Sequence, residues 1–303
     1  MSFEMKKAVK NILNKLPYIK TLKESVDIQG RYPAGHYYSP IPKHEDVKIY
    51  LKKQKGCEID LPDINFQVEA QEQTLLRYKE YYNELPFQER QDGGGCRYHY
   101  DQDWFCYADA IFLYAFLRDK KPRRIVEVGS GYSSAVILDT VELFFYEQPE
   151  ITFIDPYPDR LRNILRNDDA GQVRVLEIPM QEAPKEVFLS LCEGDLLFID
   201  SSHVLKFGSD LHYLFTQILP FLPKGVYVHF HDIIYPFEYF SKWLLEGRYW
   251  NEAYYLRAFL AHNDSWSIHF FNSYVCIRFH DYIQDNMPLC IRNTGGSLYL
   301  KRL

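Results

Sequence analysis

The chain has 303 residues, of which 47% are hydrophobic and 25% are charged, so it can bury a large core. Its formal net charge of -6 argues against a protein that mainly binds the phosphate backbone of nucleic acids. No apolar run approaches the roughly 18 residues of a membrane-spanning helix, and the N-terminus lacks the features of a secretory signal. The six cysteines are scattered, without the spacing of a zinc site or a disulfide framework. We therefore expect a cytoplasmic protein that binds a small molecule or a carbohydrate.

Two segments precede the main apolar strands. Residues 1–30 carry apolar side chains at helical spacing and six lysines, which predicts a basic amphipathic helix region interrupted at Pro17. Such a helix packs on its own chain, on a membrane surface or on a partner subunit of a homo-oligomer, and the sequence does not choose among these. Residues 31–120 are predicted to form a helical cap or lid, with helices at Glu45–Lys55, Glu69–Leu85 and Trp104–Leu117.

Residues 121–303 alternate short apolar runs with longer amphipathic stretches, a pattern typical of parallel strands joined by crossover helices. The predicted strands are Arg124–Val128, Ile151–Ile154, Val173–Ile178, Asp195–Ile199, Val226–Phe230, Trp266–Phe271 and Tyr274–Phe279. Only Asn272 and Ser273 separate the last two, so we predict that they form a hairpin. Gly295–Leu300 is expected to add an edge strand or to pack the tail onto the domain. The whole predicts an α/β, Rossmann-like, seven-stranded sheet with a terminal β-hairpin.

A strand-to-helix turn follows the first predicted strand. Glycines at 129 and 131 let the backbone approach a ligand, and the N-terminus of the following helix offers free N–H donors. A dinucleotide fingerprint would place glycine or alanine where Ser134 stands, and here an acidic residue, Glu127, leads the turn. Together with Ser130, these residues predict a nucleotide-like ligand of the S-adenosylmethionine type rather than NAD.

Two later strand ends complete the predicted cofactor site. Asp155 ends the second strand, where its carboxylate can accept both hydroxyls of a ribose. Met180 and Gln181 follow the third strand, where such folds hold the adenine ring. Met180 is expected to stack on that ring and Gln181 to hydrogen-bond to it. A helix cap or turn remains the alternative for Asp155.

Four motifs resemble those of class I S-adenosylmethionine-dependent methyltransferases, specifically methyltransferase family 24. They are Lys121–Ser134, Phe153–Pro158, Leu197–His203 and His229–Asp232, and the resemblance covers roughly Trp104 to Phe279. Gly35–Pro42 also resembles proteins of this set. The better understood relatives are O-methyltransferases that act on sugar hydroxyls of macrolide and aminocoumarin antibiotics. The resemblance therefore implies methyl transfer to a hydroxyl of a sugar, glycoconjugate or natural product.

The same relatives use a divalent metal, held by an aspartate after strand four and an acidic pair after strand five. In this sequence those positions are Asp200 and His231–Asp232, so His231 replaces a carboxylate. A nitrogen ligand favours manganese, iron or zinc over magnesium. The departure leaves metal use open.

Methyl transfer also requires removal of the hydroxyl proton. The Asp-x-x-His spacing of Asp200 and His203 matches the base-bearing motif of one type of macrolide sugar methyltransferase. We therefore predict His203 as the general base and Asp200 as its catalytic partner, which also borders the cofactor. A structural histidine is the alternative.

Residues in aromatic and polar contexts are predicted to contact the acceptor: His36, Tyr37, Tyr38, Tyr235, Arg248 and Trp250. Three rival functions remain. The first is a metal-free methyltransferase acting on a phenol, carboxylate or amine. The second is a non-catalytic S-adenosylmethionine-binding protein. The third, a dehydrogenase, is disfavoured by Ser134 and by the predicted hairpin.

Overall fold

The computed structural model describes residues 30–54, 59–90 and 95–303, which fall into two compact units. One unit comprises residues 30–54 together with Phe240–Tyr249, and the other contains Ile59–Tyr239 and Trp250–Leu303. This division differs from the predicted boundaries at residues 30 and 120. The basic helix predicted within residues 1–30 lies outside the described part of the chain. In the described part, no helix is long and apolar enough to cross a membrane.

A seven-stranded sheet forms the centre of the second unit, in the order β3-β2-β1-β4-β5-β7-β6. The first five strands run parallel, whereas β7 pairs antiparallel with both β5 and β6. This confirms the predicted Rossmann-like sheet with its antiparallel terminal pair. The strands are β1 Arg124–Val128, β2 Glu150–Ile154, β3 Val173–Leu176, β4 Leu196–Ile199, β5 Tyr227–Phe230, β6 Trp266–Phe271 and β7 Leu298–Arg302.

The second strand of the terminal pair lies elsewhere than predicted. Tyr274–Phe279 was expected to be a strand, but Asn272–Arg278 is a helix, with Val275 and Cys276 buried and Ile277 exposed. The side chain of Asn272 donates hydrogen bonds to the Ala108 carbonyl and to Asp109, which turns the chain away from the sheet. Strand β7 comes instead from residues near the predicted Gly295–Leu300 segment. It lies between β5 and β6, so β6 rather than β7 is the edge strand.

The helices follow the predicted alternation of strands and crossovers. They are α1 His44–Gln54, α2 Val68–Tyr82, α3 Tyr107–Lys120, α4 Tyr132–Phe144, α5 Asp159–Ile164, α6 Lys185–Leu189, α7 Asp210–Tyr213, α8 Ser241–Leu245, α9 Glu252–Leu260, α10 Asn272–Arg278, α11 His280–Asn286 and α12 Leu289–Arg292. A π-helical turn, Leu214–Ile218, continues α7, and 3-10 turns occupy Asn167–Asp169, Met180–Glu182 and Leu219–Phe221.

Aromatic side chains pack the helices onto both faces of the sheet. On one face, Phe116 of α3 stacks on Tyr299 of β7 with ring centroids 5.1 Å apart, and Tyr78 of α2 packs on Phe270. On the other face, Phe215 contacts both Phe230 of β5 and Phe259 of α9. Helix α3 is buried from Ala108 to Leu117, as expected for a helix enclosed by its neighbours. This packing fixes the carboxyl ends of β1, β4 and β5, where the functional side chains lie.

Candidate active site

The turn after β1 meets the end of β4 in a contact that only glycine permits. Gly129 has a φ of 82°, and a Cβ on it would overlap the carbonyl oxygen of Asp200. Asp155, after β2, accepts hydrogen bonds from the Ser130 N–H at 2.9 Å and from the Tyr157 N–H at 2.7 Å. The turn is thus held against the ends of both neighbouring strands.

Glu127 supports the turn from inside the protein. Its carboxyl oxygens accept hydrogen bonds from the Ser133 and Ser134 hydroxyls, at 2.5 and 2.6 Å, and Ser134 in turn accepts the Gly131 N–H at 3.0 Å. Burial raises the pKa of Glu127 to about 8, although the two hydroxyls oppose the shift. Glu127 and Ser134 are fully buried and support the turn from inside, and their predicted contact with the cofactor stays a prediction.

A cleft of about 460 Å³ opens at the carboxyl ends of the strands, where ligands of open α/β sheets bind. Five predicted cofactor residues line it: Gly129, Asp155, Met180, Gln181 and Asp200. Ser130 and Gly131 belong to the turn but not to the lining. A larger cleft, of about 640 Å³, lies at the opposite ends of β1 and β2, where this fold does not place its ligands.

The segment between β4 and α7 also lines the cleft, and sequence reasoning missed it beyond His203. Lys206, Phe207 and Gly208 form part of the wall, with the Phe207 ring almost fully exposed. Ser209 then accepts the His212 N–H as the N-cap of α7. The sequence contains one signal for the extent of this segment, the helix cap at Ser209–Asp210, which marks where the segment ends and α7 begins.

His203 lies between two carboxylates, one of which, Asp200, lines this cleft. Its Nε2 is 3.4 Å from Oδ1 of Asp200, which follows β4, and 3.7 Å from Oδ2 of Asp232, which follows β5. His203 and Asp232 both adopt left-handed backbone conformations, with φ of 56° and 57°. Such conformations are rare for residues with a side chain and concentrate at functional sites. The structure therefore brings the predicted base together with Asp200 and Asp232.

Glu252, at the start of α9, holds the other side of the imidazole and was not predicted. Its Oε2 is 2.9 Å from His203 Nδ1, and the backbone N–H groups of Asn251 and Glu252 donate to the His203 carbonyl. Trp250 packs on the ring with centroids 4.4 Å apart. Burial lowers the pKa of His203, but Asp200 and Glu252 outweigh it and raise this pKa well above its usual value. No local motif marks Glu252, since 48 residues separate it from His203.

The two histidines of β5 and its end differ in their surroundings. As predicted, they lie on one face, with ring centroids 6.1 Å apart. Burial lowers the pKa of His229 well below its usual value, and its ring stacks on Phe198 at 3.8 Å. Burial also opposes the charge of His231, but Asp232, Asp200 and Asp109 raise its pKa overall. His229 is thus a neutral packing residue, whereas His231 belongs to the charged cluster.

Asp109, on α3, anchors the back of this cluster and was also missed. Its carboxylate accepts hydrogen bonds from the Gly296 N–H, the Ser297 hydroxyl and the Asn272 amide. Gly296 in turn accepts the Ile233 N–H at 2.7 Å, next to Asp232. Burial raises the pKa of Asp109. Asp109 therefore ties α3 and the start of β7 to the segment that carries Asp232.

The predicted metal set of Asp200, His231 and Asp232 finds no support in the arrangement of side chains. The imidazole of His203 lies between the two carboxylates, where a shared cation would have to bind. Across residues 30–54, 59–90 and 95–303, no three side chains of ligating type are placed to hold one ion. The placement of these side chains therefore does not support a divalent metal.

The predicted acceptor residues are divided between the two units. His36, Tyr37 and Tyr38 form an aromatic cluster with Tyr32 in the first unit, and Arg248 there pairs with Glu246 at 3.3 Å. In the second unit, Tyr235 packs on Phe66 and Tyr274. Trp250 is the predicted acceptor residue that contacts His203. The roles predicted for the others stay predictions.

Comparison with known proteins gives matches in sequence and in structure. Residues 126–233 match a family model described as the methyltransferase domain of methyltransferase family 24. An uncharacterised protein of Archaeoglobus fulgidus is 32% identical over 182 residues, covering 56% of this chain and 79% of that protein.

Two solved structures are similar at lower identity. The SAH-bound methyltransferase PaMTH1 of Podospora anserina has 15% identity and a TM-score of 0.44, covering 87% of this chain and 98% of that one. The O-methyltransferase TomG of Streptomyces achromogenes, involved in tomaymycin synthesis and solved with SAM, has 14% identity and a TM-score of 0.39, covering 86% and 99%. The segment matched by the family model contains the turn after β1, Asp155, the Asp200–His203 pair and Asp232. The chain belongs to methyltransferase family 24.

Proposed function

We propose that this protein transfers the methyl group of S-adenosylmethionine to a hydroxyl oxygen, with His203 as the proton acceptor. The observation that carries the proposal is the contact of His203 with Asp200, which lines the cleft, together with Asp232 on Nε2 and Glu252 on Nδ1. A histidine oriented by a carboxylate is the arrangement that general-base catalysis uses.

The cleft suits the cofactor in an extended conformation. Met180 and Gln181 would hold the adenine ring, and Asp155 would accept the ribose hydroxyls. Each carboxylate oxygen of Asp155 accepts one backbone N–H, which leaves further lone pairs for the ribose. The sulfonium end then points along Gly129 towards Asp200, whose negative charge complements the positive sulfur.

The chemical step needs one proton acceptor. The acceptor oxygen attacks the methyl carbon, the carbon–sulfur bond breaks with its electron pair going to sulfur, and the hydroxyl proton passes to His203 Nε2. The raised pKa of His203 keeps it protonated in the resting enzyme. The positive sulfonium beside the ring favours the neutral imidazole, so cofactor binding prepares the base. A base of high pKa suits a weakly acidic hydroxyl.

A hydroxyl on a sugar, glycoconjugate or natural product is the acceptor we propose. Trp250 lies against the His203 ring, and an indole offers an aromatic face for a sugar ring. Within this proposal no metal is used, because the His203 ring occupies the space between Asp200 and Asp232. The second candidate, methylation of a phenol, carboxylate or amine by the same metal-free base, uses the same residues.

Ligand binding and turnover test the proposal in sequence. S-adenosylhomocysteine should raise the melting temperature and NAD should not, because the turn lacks the third small residue of a dinucleotide site. Formation of S-adenosylhomocysteine is then measured with panels of sugar, phenol, carboxylate and amine acceptors, with and without a chelator. Turnover with sugar hydroxyls that survives the chelator supports the proposal. Stabilisation by NAD alone, or restoration of lost activity by one metal, contradicts it.

A further inference from the structure

An arginine and a tryptophan stack beside the turn after β1. Arg160, in α5, extends over Gly131, where an added Cβ would lie 3.0 Å from the arginine Cδ. The guanidinium carbon lies 3.9 Å from the centroid of the Trp104 ring. Stacking uses the face of the guanidinium and leaves the N–H donors at its edge for a planar acceptor.

Arg160 also acts electrostatically on Asp200, which lines the cleft. Burial raises the pKa of Asp200, and His231 and His203 lower it, with a further lowering by the charge of Arg160. The contact with Gly131 places Arg160 beside the turn after β1, and Met180 and Gln181 line the cleft where the adenine ring is proposed to bind.

The backbone that carries the Trp104 indole is held by hydrogen bonds within its own loop. Gln102 Oε1 accepts the Trp104 N–H at 2.7 Å and the Phe105 N–H at 2.9 Å, and its amide donates to the Phe105 carbonyl. The indole is nevertheless 62% exposed, which is high for a tryptophan. Stacking on this indole restricts the arginine side chain, which reduces the entropy lost when a ligand binds.

Resting on the proposed function, we propose that Arg160, positioned by Trp104, binds the carboxylate of the amino-acid end of S-adenosylmethionine. With the adenosine at Asp155 and Met180, that end extends past Gly129 towards Gly131. A carboxylate there matches the planar fork of a guanidinium, which donates two parallel N–H bonds. An anionic group on the acceptor has the same chemistry, and the experiment separates these two sources.

The experiment compares two cofactors that differ by one group. Binding of S-adenosylmethionine and of decarboxylated S-adenosylmethionine is measured by calorimetry without an acceptor, for the wild type and Arg160→Gln. The wild type should prefer the carboxylated form about 10- to 100-fold, as expected for charge-assisted hydrogen bonds. Arg160→Gln should abolish this preference by weakening only the carboxylated form.

Two further variants serve as comparisons. Arg162→Gln, on the same helix, removes an arginine that pairs with Glu177 on the surface, and should leave the preference unchanged. Trp104→Ala should reduce the preference by a smaller factor, about 2- to 5-fold, because it loosens Arg160 without removing its charge.

Two outcomes would overturn the assignment. The first is a preference that survives in Arg160→Gln, which would leave the arginine for an anionic group of the acceptor. The second is an equal loss of affinity for both cofactors. Failure of the wild type to bind either cofactor contradicts the proposed function itself, and is thereby distinguishable from these two.

Discussion

The cofactor end and the reacting end of the cleft satisfy their carboxylates in different ways. At the cofactor end, Glu127 and Asp155 accept hydrogen bonds from hydroxyls and backbone N–H groups no more than about 30 residues away. At the reacting end, Asp200, Asp232 and Glu252 face the ionisable ring of His203. The neutral donors at the cofactor end fix the shape of the turn after β1, whereas the charged partners at the reacting end fix the protonation state of His203.

This difference predicts which properties each end controls. Changes at the reacting end should alter rate and its pH dependence, since the pKa of His203 depends on the carboxylates around it. Changes beneath the turn after β1 should alter stability, because Glu127 faces the interior of the protein. Three substitutions test whether the two ends of the cleft control separate properties.

The largest effect is expected from His203→Gln. It removes the proton acceptor and keeps a side chain of similar size, so turnover should fall about 10²- to 10⁴-fold. Calorimetry should show S-adenosylhomocysteine binding close to that of the wild type. His280→Gln, at an exposed histidine paired with Asp281, is the matched control. Equal losses of binding and turnover would show that the two ends of the cleft do not control separate properties.

A smaller effect, on the pH profile, is expected from Glu252→Gln. The neutral form of His203 is the base, so the wild-type rate should rise with pH through the raised pKa of His203. Removing the charge of Glu252 lowers that pKa, so the rising limb should move towards lower pH. Kinetics from pH 6 to 10 measure this, with Glu150→Gln at a surface pair as control. An unmoved limb would show that Glu252 does not set this pKa.

The smallest effect is expected beneath the turn after β1, from Glu127→Gln. Burial raises the pKa of Glu127 to about 8 in the folded protein, above its unfolded value, so folding retains a proton. Its stabilising contribution is complete below the unfolded pKa and is lost as pH rises towards 8, by up to about 1.4 kcal/mol per pH unit.

Melting temperatures between pH 5 and 9 measure this contribution. Those of Glu127→Gln should fall less steeply than those of the wild type over this range. Glu177→Gln, at a half-exposed glutamate paired with Arg162, should keep the wild-type slope. Parallel curves for all three proteins would refute a buried, protonated Glu127.

The same contrast explains what the sequence could predict. Gly129, Asp155 and the Asp200–His203 pair follow strands directly, and the strand pattern alone places them at one edge of the sheet. Glu252 and Asp109 reach the site from helices whose local sequence carries no signal of function. Tyr274–Phe279 was predicted wrongly because a short apolar run is compatible with helix or strand, and the contacts of Asn272 decide between them.

The position of β7 has a consequence for the order in which the protein is made. β5 and β6 each leave an unpaired edge until residues 298–302 have been synthesised and have inserted between them. Asp232 likewise lacks its neighbour Gly296 until then. A nascent chain can form the turn after β1 early. Its reacting end is completed, and β5 and β6 are paired with β7, only after the last strand has been made. Until that strand inserts, the growing chain depends on protection from aggregation.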